Sequence, residues 1–136
     1  MDSNGKNVEI IRGFRTCGLD DVYMSDSTVE VQPGMVITQD GALATLTDAS
    51  HTEVGVAIQG NIFGRGGYDE ASGKIPVMIS NFVMRTQIFT PAVYIAGEAI
   101  TVVAGIPKKA VGTDPIWGRV TAIGVEAGTI DIRVNY

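Results

Sequence analysis

The residues that could do chemistry in this chain are few, and they stand apart from one another. His51 is the only histidine, and it lies in a polar segment between Asp48 and Glu53. A histidine beside a carboxylate can act as a general base, but no motif places a nucleophile next to it. Cys17 is the only cysteine, so it forms no disulfide within the chain, and no paired histidine motif indicates a reactive thiolate. We read His51 as an ordinary loop residue and Cys17 as a small apolar one, and we expect no enzymatic activity.

Two other groups match known ligand-binding motifs only in part. The loop Gly64-Arg65-Gly66-Gly67 is glycine-rich, but it lacks the Lys-Ser/Thr pair of a phosphate-binding loop and opens no recognisable helix. The acidic pairs Asp20-Asp21 and Asp69-Glu70 do not match the spacing of a calcium-binding loop. We therefore expect neither a metal ion nor a cofactor, and we read these segments as a flexible loop and as solvated acidic turns.

The elements that would position any site read as short β-strands. Turn pairs at Pro33-Gly34 and Asp40-Gly41 separate apolar runs, and residues 75–79 and 130–136 alternate between apolar and other side chains. No window keeps helical spacing with caps over ten or more residues. The sequence predicts an all-β fold of roughly eight to ten short antiparallel strands in a small barrel or sandwich. Pro76 favours the beginning of a strand or an edge strand, because proline cannot donate to the ladder.

The chain divides by pattern into two parts. Residues 1–28 show no sustained period, and we read them as an extended N-terminal arm with one or two short strands. Such an arm lies over its own domain or reaches a neighbouring subunit, and both alternatives stay open. Residues 29–136 form the β-domain. Within it, residues 61–74 make a long glycine-rich loop, which we take as the first candidate for a contact loop.

Composition limits the classes of partner. Apolar residues make up 45% of the 136 residues and charged residues only 18%, which favours a subunit that covers part of its surface with a partner protein. The net charge is −5 and the ten basic residues are scattered, so direct binding to nucleic acid is not expected. The most apolar later window, residues 92–106, is split by Glu98 and two glycines, and we expect no membrane span and synthesis in the cytoplasm.

The aromatic residues can serve the core or an interface. Trp117 is equally compatible with both, because a subunit that grips a partner uses aromatic side chains in desolvated pockets. For Phe82, Phe89 and Tyr94 we favour the core, since a domain of this size consumes most of its aromatic residues there.

The order of several short motifs resembles the capsid cement, or head decoration, proteins of tailed bacteriophages. The resemblance covers about residues 30–136. Its motifs are Gln32-Pro33-Gly34-Met35-Val36, Glu53-Val54-Gly55-Val56-Ala57, Ile95-Ala96-Gly97-Glu98-Ala99-Ile100, and Trp117-Gly118-Arg119-Val120 followed by residues 128–134. Residues 61–74 and 81–91 are longer than the family pattern, so contacts made there are not carried over from the family.

The resemblance implies a small β-barrel or β-tulip-like domain with an extended N-terminal arm. It implies a non-enzymatic subunit on the outer surface of an icosahedral head, synthesised in the host cytoplasm, assembled as a homotrimer and bound to the major capsid protein. The arm would contact the shell or a neighbouring subunit. From the arm, the glycine-rich loop and the aromatic residues we take nine interface candidates: Ile10, Ile11, Arg12, Phe14, Arg15, Phe63, Arg65, Tyr68 and Trp117.

Two other functions stay open at this point. A phage tail or baseplate β-protein would share the fold but occur in few copies. A ligand-binding or carrier barrel would fit the glycine-flanked strand at residues 97–105, but Lys108-Lys109 does not match the displayed lysine of lipoyl- and biotin-carrier barrels.

Overall fold

The computed structural model describes residues 8–12, 20–24, 29–39, 44–46, 54–58, 74–79 and 81–134. Within these ranges the protein is all-β, as the sequence predicts, and eleven strands pair antiparallel in two sheets. In chain order they are β1 (Val8–Arg12), β2 (Asp20–Met24), β3 (Val36–Gln39), β4 (Ala44–Leu46), β5 (Gly55–Ala57), β6 (Lys74–Met78), β7 (Phe82–Thr86), β8 (Ala99–Val103), β9 (Ile106–Lys109), β10 (Gly118–Ile123) and β11 (Ile130–Val134).

The two sheets stay open. The six-stranded sheet has the order β1-β7-β11-β10-β8-β9, and the five-stranded sheet has the order β2-β6-β5-β3-β4. In the described ranges no strand of one sheet pairs with a strand of the other, so the two sheets are not closed into a barrel, which was one of the two architectures that the sequence predicted. The strands are short, and their alternation specifies which face is apolar but not whether two edges meet.

One hydrophobic core joins the two sheets. Val36, Val56 and Met78 of the five-stranded sheet pack in the same cluster as Met84 and Ile132 of the six-stranded sheet. The sheets also share a backbone hydrogen bond in which the Val36 N–H donates to the Gly105 carbonyl at 2.8 Å. The fold therefore rests on apolar side chains from the facing surfaces of both sheets.

The five-stranded sheet is apolar on its other face as well. Residues that alternate with the core positions, Ile37, Ala57 and Val77, form a second buried cluster together with Val31 and Ile75. A strand that is buried on both faces reads as a continuous apolar run, which explains the uninterrupted pattern Val54-Gly55-Val56-Ala57-Ile58.

The predicted N-terminal arm contributes one strand to each sheet. β1 pairs with β7, and Val8 is 5% exposed in the common core. β2 pairs with β6, from Asp20 opposite Met78 to Met24 opposite Lys74. In the described parts of residues 1–28 the chain therefore lies on its own sheets, as an edge strand of each, which is one of the two alternatives left open for the arm.

Pro76 is the third residue of an interior strand, so the expectation that it begins a strand or lies on an edge strand was wrong. β6 has β2 on one side, with Pro76 opposite Val22, and β5 on the other. β5 reaches only Val77 and Met78, so on that side no ladder bond is required of Pro76. In an antiparallel pair each backbone N–H points to one neighbour only, and a proline is tolerated where that neighbour is missing.

A close approach explains one glycine in the six-stranded sheet. A Cβ atom on Gly118 would lie 2.6 Å from the carbonyl oxygen of Arg133 and 2.9 Å from Cγ2 of Ile132. Only glycine fits between β10 and β11 at this point without a shift of the backbone.

The β8–β9 hairpin turns through two residues with positive φ, Ala104 at 50° and Gly105 at 80°. Two positive φ angles define the mirror-image turn that matches the twist of a hairpin, and Asn-Gly is its preferred sequence. Ala104 therefore adopts a left-handed backbone conformation, which is energetically unfavourable for a residue with a Cβ atom.

Candidate interaction surface

The residues predicted as interface candidates divide into three groups. In β1, Ile10 is half-buried against the core and Ile11 is 37% exposed at a bulge between Ile10 and Arg12. The backbone of Arg12 pairs with Val83. Five candidates lie outside the described residues: Phe14, Arg15, Phe63, Arg65 and Tyr68. His51 and Cys17 lie outside them too.

Trp117, the remaining candidate, is a core residue. It is 2% exposed and packs in the cluster that joins the two sheets. Phe82 and Tyr94 are buried as predicted, and Phe89 packs against the same core. Trp117, Phe82, Phe89 and Tyr94 therefore supply the interior of this chain.

Exposed aliphatic residues gather at one end of the six-stranded sheet. β8 is antiparallel to both β9 and β10, so the start of β8 lies beside the ends of the other two strands. The hydrogen bonds from Gly97 N–H to the Val120 carbonyl and from Ala110 N–H to the Ala99 carbonyl confirm this placement. We call this region the turn end, and it comprises the turns at residues 95–98, 111–114 and 124–129.

The turn end carries three large aliphatic side chains that are more than half exposed, and two further exposed ones, Val93 and Ile123, lie two residues and one residue before its turns. The exposed fractions are 82% for Val93, 62% for Ile95, 63% for Val111, 47% for Ile123 and 60% for Val125. Scattered exposed aliphatic residues are ordinary, but a group of them on one part of a surface is typical of a protein contact. The turn end is therefore the candidate interaction surface in the described residues.

Two of these turns share one hydrogen-bonding pattern. In the first, the Glu98 N–H donates to the Ile95 carbonyl at 3.2 Å, and the Ile95 N–H donates to Oε1 of Glu98 at 2.5 Å. In the second, the Asp114 N–H donates to the Val111 carbonyl at 3.1 Å, and the Val111 N–H donates to Oδ2 of Asp114 at 3.0 Å. Each turn is closed from both sides by an acidic residue three positions after the exposed aliphatic one.

The third turn closes the β10–β11 hairpin. The hydroxyl and the N–H of Thr129 both donate to the Glu126 carbonyl, at 2.7 Å and 3.2 Å, and the Gly124 N–H donates to the Thr129 carbonyl at 3.0 Å. Because these bonds hold the backbone in place, a partner protein that covers Val125 need not order the loop first.

Charged and aromatic groups contact the first turn, residues 95–98. The Lys109 ammonium lies 3.1 Å from Oε2 of Glu98 and 5.7 Å from the centre of the Tyr94 ring. The hydrogen bond from the Ile95 N–H, followed by the contact with Lys109, lowers the pKa of Glu98. Partial burial raises the pKa of Tyr94, whose hydroxyl donates to the Thr90 carbonyl. The ring of Tyr94 meets that of Phe89 edge-on at 5.5 Å, which ties the turn to the core.

A second charged cluster lies on the outer face of the six-stranded sheet. Arg85 donates from Nε and Nη2 to the two carboxylate oxygens of Asp131, at 2.9 Å and 3.0 Å. Glu126 lies 3.9 Å from Nη1 of the same arginine. The hydrogen bond to Asp131 raises the pKa of Arg85. This arginine is held by its own chain, and the pair joins β7 to β11.

A sequence signal other than the alternation of strands marks two turns of the turn end. Both Ile95-Ala96-Gly97-Glu98 and Val111-Gly112-Thr113-Asp114 place an acidic residue three positions after an aliphatic one, with a glycine between them. This spacing lets the carboxylate close the turn, and the aliphatic residue then belongs to a turn instead of a buried strand.

Comparison with known proteins finds no matching family model, no matching curated protein and no matching solved structure. In the described ranges no helix is long and apolar enough to span a membrane. The same ranges contain no group of three or more histidine, cysteine, aspartate or glutamate side chains that could hold a metal ion.

Proposed function

We propose that this chain is a structural virion protein, a capsid cement or decoration subunit that binds the outer surface of an icosahedral phage head. In this proposal it acts without catalysis, binds the major capsid protein as a homotrimer and stabilises the shell against the pressure of the packaged DNA. The observation that carries the proposal is the turn end, where aliphatic side chains stand exposed on turns closed by hydrogen bonds. The order of the sequence motifs suggests the identity of the partner.

The physics of the turn end suits a clamp between shell subunits. Fully burying a valine or isoleucine side chain contributes about 1.5–3 kcal/mol, and here roughly half or more of each side chain is still exposed. A few such side chains give modest affinity once the entropy of association is subtracted. A trimer that engages three equivalent sites gains on the order of a hundredfold or more through effective concentration.

The first test is the number of copies of this protein in purified phage particles. Quantitative mass spectrometry gives its ratio to the major capsid protein. Near-equal copies would support cement distributed across the shell. A handful of copies would favour a tail or vertex protein, and absence from the particle would contradict a virion function and return attention to a ligand-binding domain.

The second test places a charge on the turn end. Val125→Asp puts a carboxylate on the β10–β11 hairpin and should weaken binding to shells that lack this protein by about 10- to 100-fold, from the burial energy of one aliphatic side chain. Val103→Asp is the matched control, because Val103 is 53% exposed against 60% for Val125 and lies at the opposite end of the same sheet. Equal binding by both variants and the wild type would exclude the turn end as the contact surface.

A further inference from the structure

A pair of arginines on the outer face of the six-stranded sheet has no acidic partner in the described residues. Arg119 of β10 stands directly opposite Arg133 of β11. Their strand neighbours Val120, Ile132 and Val134 are buried in the core, so the two arginines project from the opposite, solvent-facing side. Both are exposed.

The two guanidinium groups extend from positions close to each other. Directly opposite residues of an antiparallel pair have Cβ atoms about 4.5–5.5 Å apart, and like charges there disfavour the folded state. The one hydrogen bond to either side chain in the described residues runs from Nη1 of Arg119 to the Gly97 carbonyl at 3.3 Å. Two positive charges therefore lie together, and no carboxylate among the described residues offsets them.

Other cations of the sheet are arranged differently. Arg85, on the same face, makes a bidentate contact with Asp131, and Lys109 contacts Glu98. The chain as a whole carries fifteen acidic and ten basic residues. In a chain with this excess of carboxylates, an arginine pair that meets none of them in the described residues is suited to carboxylates supplied from outside.

We infer that Arg119 and Arg133 bind a pair of carboxylates on an acidic segment of a partner protein, and, resting on the proposed function, that this partner is the major capsid protein. The planar guanidinium donates two parallel hydrogen bonds to a carboxylate, so two arginines side by side match two acidic side chains that share one face of a strand or helix. Two arginines on a chain with net charge −5 are too few to hold the regularly spaced phosphates of a nucleic acid.

The row of directly opposite residues that contains the arginine pair continues across the sheet. Arg133 is opposite Val83 of β7, Val83 is opposite Arg12 of β1, and Arg119 is opposite Ala99 of β8. Val83 is only 5% exposed, so the open part of this row is the arginine pair itself. Strands lie about 4.8 Å apart, so an acidic segment that crosses β10 and β11 meets both arginines. The register places Arg12, one of the sequence-predicted interface residues, in the same row.

The experiment measures binding of purified protein to shells that lack it, across a range of NaCl concentrations. Arg119→Gln with Arg133→Gln should weaken binding on the order of 100-fold at low salt and reduce the salt dependence, since two charge-assisted contacts are lost. Arg119→Lys with Arg133→Lys should fall between this variant and the wild type, because the charge remains but the bidentate geometry does not. Lys108→Gln, on β9 two strands away from β10, is the control and should bind like the wild type.

The outcomes separate the two proposals. If the wild type fails to bind shells, the proposed function fails. If the wild type binds and the glutamine variant binds equally well at every salt concentration, the proposed function stands and the arginine pair is not the site. Binding of duplex DNA that the glutamine variant loses, with shell binding unchanged, would assign the pair to nucleic acid and overturn the inference. Thermal unfolding of the glutamine variant should match or exceed that of the wild type, because a like-charge pair has been removed.

Discussion

The left-handed turn at Ala104 gives a stability prediction that can be worked out from the backbone. Replacing Ala104 with asparagine, which enters positive φ more readily, should stabilise the fold. An ordinary residue pays about 1–2 kcal/mol for this conformation, and we expect asparagine to recover about 1 kcal/mol of it. With an unfolding entropy of about 0.29 kcal/mol per kelvin for 136 residues, this gain corresponds to a rise in Tm of about 3–4 °C.

A second position of the chain, Asn81, allows the opposite substitution to be tested. Asn81, between β6 and β7, has the same φ of 50° and is also exposed. Asn81→Ala should therefore lower stability by about the amount that Ala104→Asn adds. Ala104→Gly should gain less than asparagine, because glycine raises the entropy of the unfolded chain by about 0.5–1 kcal/mol.

Urea titrations and thermal melts measure all three variants. The urea midpoint should move with the slope unchanged, since none of the substitutions alters the surface buried on folding. The turn also positions the Gly105 carbonyl that accepts a hydrogen bond from Val36 of the other sheet. If Ala104→Asn leaves stability unchanged or lower and Asn81→Ala has no effect, backbone strain at positive φ does not govern these turns and the reasoning is refuted.

Three further predictions concern the sheet and its surface. Gly118→Ala should destabilise the fold by roughly 1–3 kcal/mol in urea, because its methyl group meets the Arg133 carbonyl; unchanged stability would show that β10 and β11 can separate freely. At pH 7, Glu98→Gln should melt below the wild type. The pKa of Glu98 is lowered beneath its ordinary 4.5 by the Ile95 N–H, so the difference should disappear as pH falls through that lowered value; a constant difference down to pH 2 would contradict this cause. Deleting residues 1–12 should expose the edge of β7 and produce self-association in light scattering, whereas a stable monomer would show that β1 is dispensable.

Most strands after residue 29 were predictable because their signals are local. The alternation at Ile130 to Val134 indicates which side chains face the core, and β11 follows it closely. The alternation at Ile75 to Ile79 predicts a strand there, but Ile75 and Val77 lie in the second cluster and Met78 lies in the core between the sheets. Turn pairs such as Pro33-Gly34 mark where a strand begins. These features require only neighbours in sequence, and for that reason the all-β class follows from the residues alone.

The pairing of distant strands was not predictable in the same way. β1 pairs with β7 across some seventy residues, and nothing in the sequence of Val8–Arg12 indicates that partner. The position of Pro76 inside a sheet depends on how far β5 extends, which is a property of another segment. Long-range pairing is decided by burial in the assembled core, and a single sequence does not display it.

The residues of the candidate surface also divide into those that local sequence predicts and those that depend on distant contacts. Trp117 was ambiguous between core and interface because its residue type suits both, and only its burial decides the question. The motif from Ile95 to Ile100 was recognised in the sequence, but the exposure of Ile95 was not predicted. The Arg119–Arg133 pair depends on a register between two strands, and a shift of either strand by one residue would turn its arginine into the core.

The strand order also determines when this protein can fold during its synthesis. β11 lies in the middle of the six-stranded sheet, between β7 and β10, although it is the last of the eleven strands to leave the ribosome. β1 is made some seventy residues before β7, and β7 itself has only one neighbour until residue 134 has been made. A sheet completed by such distant contacts folds slowly. Until β11 is made, the unpaired strands expose aliphatic residues with which other chains can associate.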